Sequence, residues 1–303
     1  MIPADKKIER MLAAARMYYE QGRTQNEIAA ALGISRPLVS VLLTEARECG
    51  IVTITVNDIR VTAETLTQRM MQRFGVERVV VIADEDIDDN TNRALAAKAY
   101  AEIFSKENEN TRLGVGWGSM LDKMASYAER LSDVKKGEGR IFPLVGGINS
   151  VIRSYHTNEI VRILALKSGK RPTFLYIPAL LDTNADLELT KRTEPYALIE
   201  KEWRAMDQAV VSLSNFPSYP DLGVKSFYGN RLTEQRAVGR ILAYYFDVNG
   251  RIVQPLEETA LQIPMDALRR VNVTALCSGQ VKPEAVLPLL SAMPRALRAL
   301  KQA

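Results

Sequence analysis

Arg36, Ser40, Thr44 and Arg47 recur at intervals of four, four and three residues, a spacing that sets them along one face of an α-helix. A guanidinium offers a fork of N–H donors, and a hydroxyl both donates and accepts. A row of such groups on a helix can reach guanine edges and phosphate oxygens in the major groove of DNA. A second set of groups has the chemistry of small-anion binding. LGVGWGSM (residues 113–120) holds Gly114, Gly116, Gly118 and Ser119; PLVGGINS holds Gly146, Gly147 and Asn149; CSGQVKPEAV holds Lys282. Exposed backbone N–H groups, a hydroxyl and an ammonium suit a phosphate or carboxylate, although glycine at a strand end also serves tight packing, and both readings stay open.

Other chemistry is disfavoured by composition. The single histidine, His156, lies apart from any serine or cysteine motif, and Cys49 and Cys277 are far apart with no histidine between them at ligand spacing. Catalytic residues, a metal site, a disulfide framework and a cofactor are therefore not expected. With 47% apolar and 25% charged residues and no long apolar run, the chain reads as an ordinary globular protein with no membrane helix, and the polar start MIPADKKIER is no secretory signal; a cytoplasmic protein is expected. The net charge is +4, yet residues 1–57 carry seven basic and six acidic side chains. A nucleic-acid face there must come from placement, not bulk charge. Residues 264–303 hold six basic and two acidic side chains, read as a solvated basic C-terminal helix.

The elements that would position the arginine row are well marked. IERMLAAARMYYEQG spaces Ile8, Met11, Leu12, Ala15 and Tyr19 as a helix that Gly22 ends. Thr24 with Glu27 three residues on forms a capping box that opens QNEIAAAL, whose apolar side is Ile28, Ala29 and Leu32. Gly33 breaks it, Ser35 caps the next helix, and Pro37 sits in the first turn, where a missing N–H costs nothing. Val39, Leu42 and Leu43 belong to the core, which leaves Arg36, Ser40, Thr44 and Arg47 outside. Two short helices around a glycine turn form a helix-turn-helix, with Thr24 and Gln25 placed for backbone phosphate. GIVTITV alternates as a short strand, a wing or a dimerisation strand. The expected architecture is a small all-α, winged helix-turn-helix domain over residues 1–57, then an α/β domain with a mostly parallel sheet over residues 58–303.

That larger domain begins with a linking amphipathic helix striped by Leu66, Met70 and Phe74, and continues with the near-continuous apolar strand VERVVVIAD. Helices at TNRALAAKAYAEIFS, SMLDKMASYAERL, NEIVRILALKSG and EPYALIEKEWRAMDQ alternate with strands at RLGVGW, RIFPLV, FLYIPAL and AVVSLS, the rhythm of a parallel α/β sheet. In RAVGRILAYYFDVNGRIV a helix is expected to run to a turn that Asp247 stabilises, followed by a short strand. Trp117, Tyr155, Trp203, Phe227 and Tyr228 are read as core or as the wall of a pocket.

Nearly the whole chain resembles the SorC family of bacterial sugar-operon regulators. ARMYYEQGRTQNEIAAALGISRPLVSVLLTEAREC resembles the family's DNA reader, and LGVGWGSM, FPLVGGI, YIPAL, AVGRILAYYFDVNGR and SGQVKPEAV resemble its effector motifs in the family's order. The resemblance implies an effector domain with the sugar-phosphate isomerase and glucosamine-phosphate deaminase (NagB/RpiA-like) fold. It also implies a homo-oligomer, a tetramer or dimer, that binds double-stranded operator DNA under control of a phosphorylated sugar. The chain departs from the family pattern at Val41, where an arginine is usual, at Met120, where a threonine is usual, at AVVSLSNFP, which replaces a Gly-Ile-Gly strand end, and at a C-terminus without the closing Thr-Asp segment. Most consequentially, Val238-Gly239-Arg240 replaces Val-Gly-Asp, so a donor cation stands where the family has a sugar-binding acid. Three functions compete on these residues: a metabolite-responsive regulator with no enzymatic activity, an isomerase- or deaminase-like enzyme, and a regulator whose sensor no longer binds a ligand.

Overall fold

The computed structural model describes residues 4–52, 63–74, 78–82, 88–105, 108–133, 137–148, 156–217, 227–278, 281–292 and 297–302. Two compact units divide the chain, Met1–Arg60 and Val61–Ala303.

In the first unit α1 (Ala4–Ala15) runs into a π-helical turn, Arg16–Glu20, and is followed by α2 (Gln25–Leu32) and α3 (Arg36–Glu48). Met11, Ala14 and Ala15 of α1 meet Ile28 and the α3 residues Val39, Leu42, Leu43 and Ala46 in one small core. Ile8, Leu12 and Tyr19, read with Met11 and Ala15 as one helical stripe, stay exposed. Gly33 takes φ +62° in open space, so backbone conformation alone demands glycine there. The strand expected in GIVTITV lies, from residue 53 on, outside the described residues.

The second unit opens with α4 (Ala63–Phe74) and β1 (Arg78–Ile82), followed by α5 (Asp88–Ile103), β2 (Arg112–Val115), α6 (Ser119–Glu129), β3 (Arg140–Pro143), α7 (Thr157–Ser168) and β4 (Arg171–Pro172). Then come α8 (Asn184–Thr190), α9 (Glu194–Arg204), β5 (Gln208–Asn215), α10 (Arg231–Glu234), β6 (Ala237–Ile241), β7 (Tyr244–Asp247), α11 (Met265–Leu268), β8 (Asn272–Cys277), α12 (Pro283–Ala292) and β9 (Leu297–Gln302). The sheet runs β1-β9-β8-β5-β2-β3-β4, all parallel, and β6 and β7 add an antiparallel hairpin at the end of β5. Alternate strand residues feed two cores. Leu113, Val115, Ile141, Val210 and Leu276 face α5, α6 and α7, while Phe142, Ala209, Val211, Leu213 and Ala275 face α9 and α12. The helix read as a link, α4, packs Leu66, Met70 and Met71 on the second core, and its Thr67 hydroxyl accepts from the Val81 N–H. The side chain of Phe74 lies outside the described residues.

Three expected elements differ. FLYIPAL makes only isolated bridges, because Pro172 and Pro178 remove ladder donors and confine the strand to Arg171–Pro172. AVGRILAYYFD is the β6–β7 hairpin instead of a helix. Its turn is held from outside: the Ala243 N–H donates to Gln262 Oε1 at 2.9 Å and its carbonyl accepts from the Tyr228 hydroxyl at 2.9 Å. The basic C-terminal segment, residues 264–303, is not one helix but α11, β8, α12 and β9, and β9 is wedged between β1 and β8, where two unsatisfied strand edges outweigh the helix preference of its Ala, Leu, Arg and Lys residues.

The N-terminal end of the sheet is closed by fixed charges. Glu202 of α9, buried, pairs with both Arg112 and Arg140, while at the opposite end of β3 the neighbouring Trp203 indole donates to the Pro143 carbonyl. Lys170 is buried and donates to the carbonyls of Asn108, Glu109 and Thr111 at 2.6, 2.8 and 2.9 Å.

Candidate DNA-reading face and effector crevice

In the first unit α2 and α3 meet at 102°, within the range of a helix-turn-helix. The capping box is complete: the Thr24 hydroxyl accepts from the Glu27 N–H at 3.4 Å, and Glu27 Oε2 accepts from the Thr24 N–H at 2.8 Å. Those hydrogen bonds from Thr24 hold the Glu27 carboxyl below its ordinary pKa. Thr24 is therefore largely occupied with its own helix. Ser35 takes the N-cap position of α3 without a side-chain cap bond, which leaves its hydroxyl available, and Pro37 occupies the first turn.

With Val39, Leu42, Leu43 and Ala46 buried on one side of α3, Arg36, Ser40, Thr44 and Arg47 are all exposed. Arg47 reaches back to the Thr44 hydroxyl at 3.4 Å, so those two act as a pair. A groove of about 470 Å³ is lined by Tyr18, Gly22, Arg23, Thr24, Gln25, Asn26 and Arg36. Sequence reasoning found Thr24, Gln25 and Arg36 and missed Arg23, Asn26 and Tyr18. The signal for Arg23 was its place immediately before the capping box, where a cation stands beside the first turn of α2.

In the second unit the strand order reverses between β2 and β5: β3 and β4 continue on one side, β8 and β9 on the other. Loops leaving such a pair diverge and open a crevice at the strands' C-terminal ends. Gly118, with φ +122°, precedes α6 there, and a Cβ on it would lie 2.9 Å from the Ser212 Cβ. As N-cap of α6, Gly118 has no side chain to accept from the helix's first N–H groups, and Ser119 beside it is exposed. From the other side the Lys282 N–H donates to Asn215 Oδ1 at 2.8 Å, tying the loop after β8 to the end of β5, with the Lys282 side chain exposed. Arg240 stands opposite Ser214 in the β5–β6 ladder. Gly118, Ser119, Lys282 and Arg240 thus converge on the ends of β2 and β5, with Ser212, Ser214 and Asn215 as residues that sequence reasoning passed over.

The other expected contacts are engaged elsewhere. The Gly116 N–H donates to the Val210 carbonyl. Gly146 and Gly147 donate theirs to the carbonyls of Leu261 and Ile177, so none of the three offers a backbone donor to a ligand. The Trp117 side chain is buried in the core with those of Trp203 and Tyr228, and Asn149 lies outside the described residues, as does Tyr155. His156 precedes α7 and, with Gly147, Asn158, Arg162, Phe174 and Tyr176, lines a cavity of about 650 Å³. Asp247 holds its turn as expected, Oδ1 accepting from the N–H groups of Asn249 and Arg251. Cys49 is exposed, Cys277 is buried, and neither forms a disulfide. No single described helix is long and apolar enough to cross a membrane.

Comparison with known proteins gives these two regions relatives. Residues 61–295 match the family described as "Putative sugar-binding domain", and residues 9–49 match "Sigma-70, region 4". The sorbitol operon regulator of Klebsiella pneumoniae is 27% identical over 292 residues, covering 93% of this chain and 92% of that protein. The deoxyribonucleoside regulator of Bacillus subtilis is 26% identical over 282 residues, covering 90% and 88%. Among solved structures, the full-length sorbitol operon regulator of Klebsiella pneumoniae superposes with a TM-score of 0.70 at 25% identity, covering 97% of this chain and 96% of that one. A probable sor operon regulator from Shigella flexneri reaches 0.68 at 20% identity over 79% of this chain and 96% of that one.

Proposed function

The chain belongs to the SorC family of sugar-responsive transcriptional regulators through its sugar-binding domain, and from that premise we propose that it binds operator DNA with α3 while a phosphorylated sugar in the β2–β5 crevice sets the occupancy. The observation that carries the DNA half is the division of α3 into a buried apolar side and an exposed side of Arg36, Ser40, Thr44 and Arg47. Arg36 at the start of the helix reads a base edge, Ser40 and the Thr44–Arg47 pair support it, and Gln25, Ser35 and Arg23 hold phosphates on either side. Thr24 and Pro37 fix the helix starts.

The crevice half rests on the donors collected at the β2–β5 reversal. The first turn of α6, Ser119 and Lys282 suit the phosphate of the effector, and Ser212 and Ser214 suit its hydroxyls. These groups bind and supply no general acid–base pair, which favours sensing over turnover. The relatives named as a sorbitol operon regulator and a deoxyribonucleoside regulator suggest control of carbohydrate catabolic genes. Coupling needs a homo-oligomer with two arrangements of its DNA readers, because an effector shifts occupancy only by binding one arrangement better.

The test is operator footprinting with three proteins. Arg36→Ala weakens the footprint and relaxes discrimination between related sites, at a cost of about 1–3 kcal/mol. Lys282→Ala leaves the effector-free footprint as in the wild type and loses the response to effector. An unchanged footprint with Arg36→Ala would show that another face of α3 reads the bases.

A further inference from the structure

Arg240 is 6% exposed, and no described acid pairs with it. Its Nη1 is buried without a hydrogen-bond partner, and its guanidinium carbon lies 5.8 Å from the centre of the Tyr245 ring. The contrast with Arg112 and Arg140, which share Glu202, is chemical. A contact with one aromatic face offsets only a small part of the cost of burying an ion. A buried cation left unsatisfied by the described residues calls for a further partner.

Strand register says where that partner would sit. Opposed residues of a ladder project to the same face, so Arg240 shares a face of the sheet with Ser214, and through strand alternation with Ser212. Ser212 is the residue against which Gly118 closes, so Arg240 and the start of α6 lie on one side of the sheet. Two residues of β5, about 7 Å, separate their levels. That gap suits a five- or six-carbon chain between two charged ends.

We infer that Arg240 receives a second anionic group of the effector, so that the crevice selects carbohydrates carrying two anions, a phosphate with either a carboxylate or another phosphate, over those carrying one. The inference rests on the sensing role proposed above and names the ligand class of that same crevice. The first anion takes α6 and Lys282. The second neutralises Arg240, whose charge is already desolvated before the ligand arrives, so little further desolvation offsets the gain on the protein side.

The full-length protein and its Arg240→Met and Arg240→Gln variants are compared by thermal melting and titration calorimetry. Glucose 6-phosphate and sorbitol 6-phosphate carry one anion, gluconate carries only a carboxylate, and 6-phosphogluconate and fructose 1,6-bisphosphate carry two and separate the two sources of the second charge. The wild type binds at least one of the two-anion compounds tenfold or more tighter than the one-anion compounds. Both variants bring that ratio close to one, and ligand-free Arg240→Met melts no lower than the wild type because the unpaired charge is gone. A preference that survives both substitutions, or equal binding of one- and two-anion compounds by the wild type, overturns this inference and leaves the sensing role standing. Absence of binding by every compound overturns both.

Discussion

Lys170 shows how one buried cation can be settled within the chain while Arg240, among the described residues, is not. Its ammonium has three donors and finds three carbonyls and the Thr111 hydroxyl. Burial still pushes its pKa down to about 8, against the upward pull of Asp207 and Glu109. Since the unfolded chain keeps its lysine protonated to about 10.4, it binds a proton in the interval between these values that the folded chain has released. This group's contribution therefore makes stability rise with pH from about 8 to about 10, and leaves it flat below. Lys170→Met removes that slope and also leaves buried carbonyls without a donor, lowering stability by roughly 1–3 kcal/mol or more; urea melts at pH 7 and pH 9.5 measure both effects. Neither lysine nor arginine announced its burial in the sequence. Arg240 was legible only as a departure from a family motif, and its isolation depends on which strands flank it.

At the scale of elements, local signals carried the helix-turn-helix and failed for the hairpin. Thr24, Glu27, Gly33 and Pro37 each act within one turn of chain, and the structure uses the capping box, the positive φ and the helix start they imply. Gly33→Ala accordingly costs about 1–2 kcal/mol, since the left-handed conformation is retained against the new Cβ, and hydrogen exchange of the α2 and α3 amides quickens while Gly33→Asn stays closer to the wild type. Glu202→Ala is expected to be worse, about 2–3 kcal/mol in a thermal or denaturant melt, because two partly exposed arginines lose a shared buried partner. The β6–β7 turn has no such local signal. Leu242 takes φ +49° without being glycine, and Gln262 and Tyr228 hold the following residue by its backbone. A sequence window that stops at either strand contains neither side chain, so RAVGRILAYYFD reads as readily as a helix.

For the whole molecule, the near balance of charge in residues 1–57 limits non-specific attraction, and the proposed oligomer would draw its affinity from several readers acting together. If Arg23 and Arg47 each hold one phosphate, a protein presenting two readers loses affinity with salt at a log–log slope of roughly −4, and a single reader at roughly −2; titrations of operator DNA from low to physiological salt distinguish these. Ending the chain at residue 296 removes β9, exposes the edges of β1 and β8, and leaves a protein that aggregates or melts well below the wild type in light scattering and calorimetry. Sequence alone determined the helix-turn-helix, most of the alternation of strands and helices, and the glycine loop before α6, because caps, periodicity and apolar runs act over a few residues. The tertiary structure alone decided that Gly116, Gly146 and Gly147 spend their N–H groups on the fold, that the last strand is a strand, and that Arg240 lies buried with no acid beside it among the described residues. Those outcomes depend on backbone pairing and burial between segments distant in sequence, which no local pattern encodes.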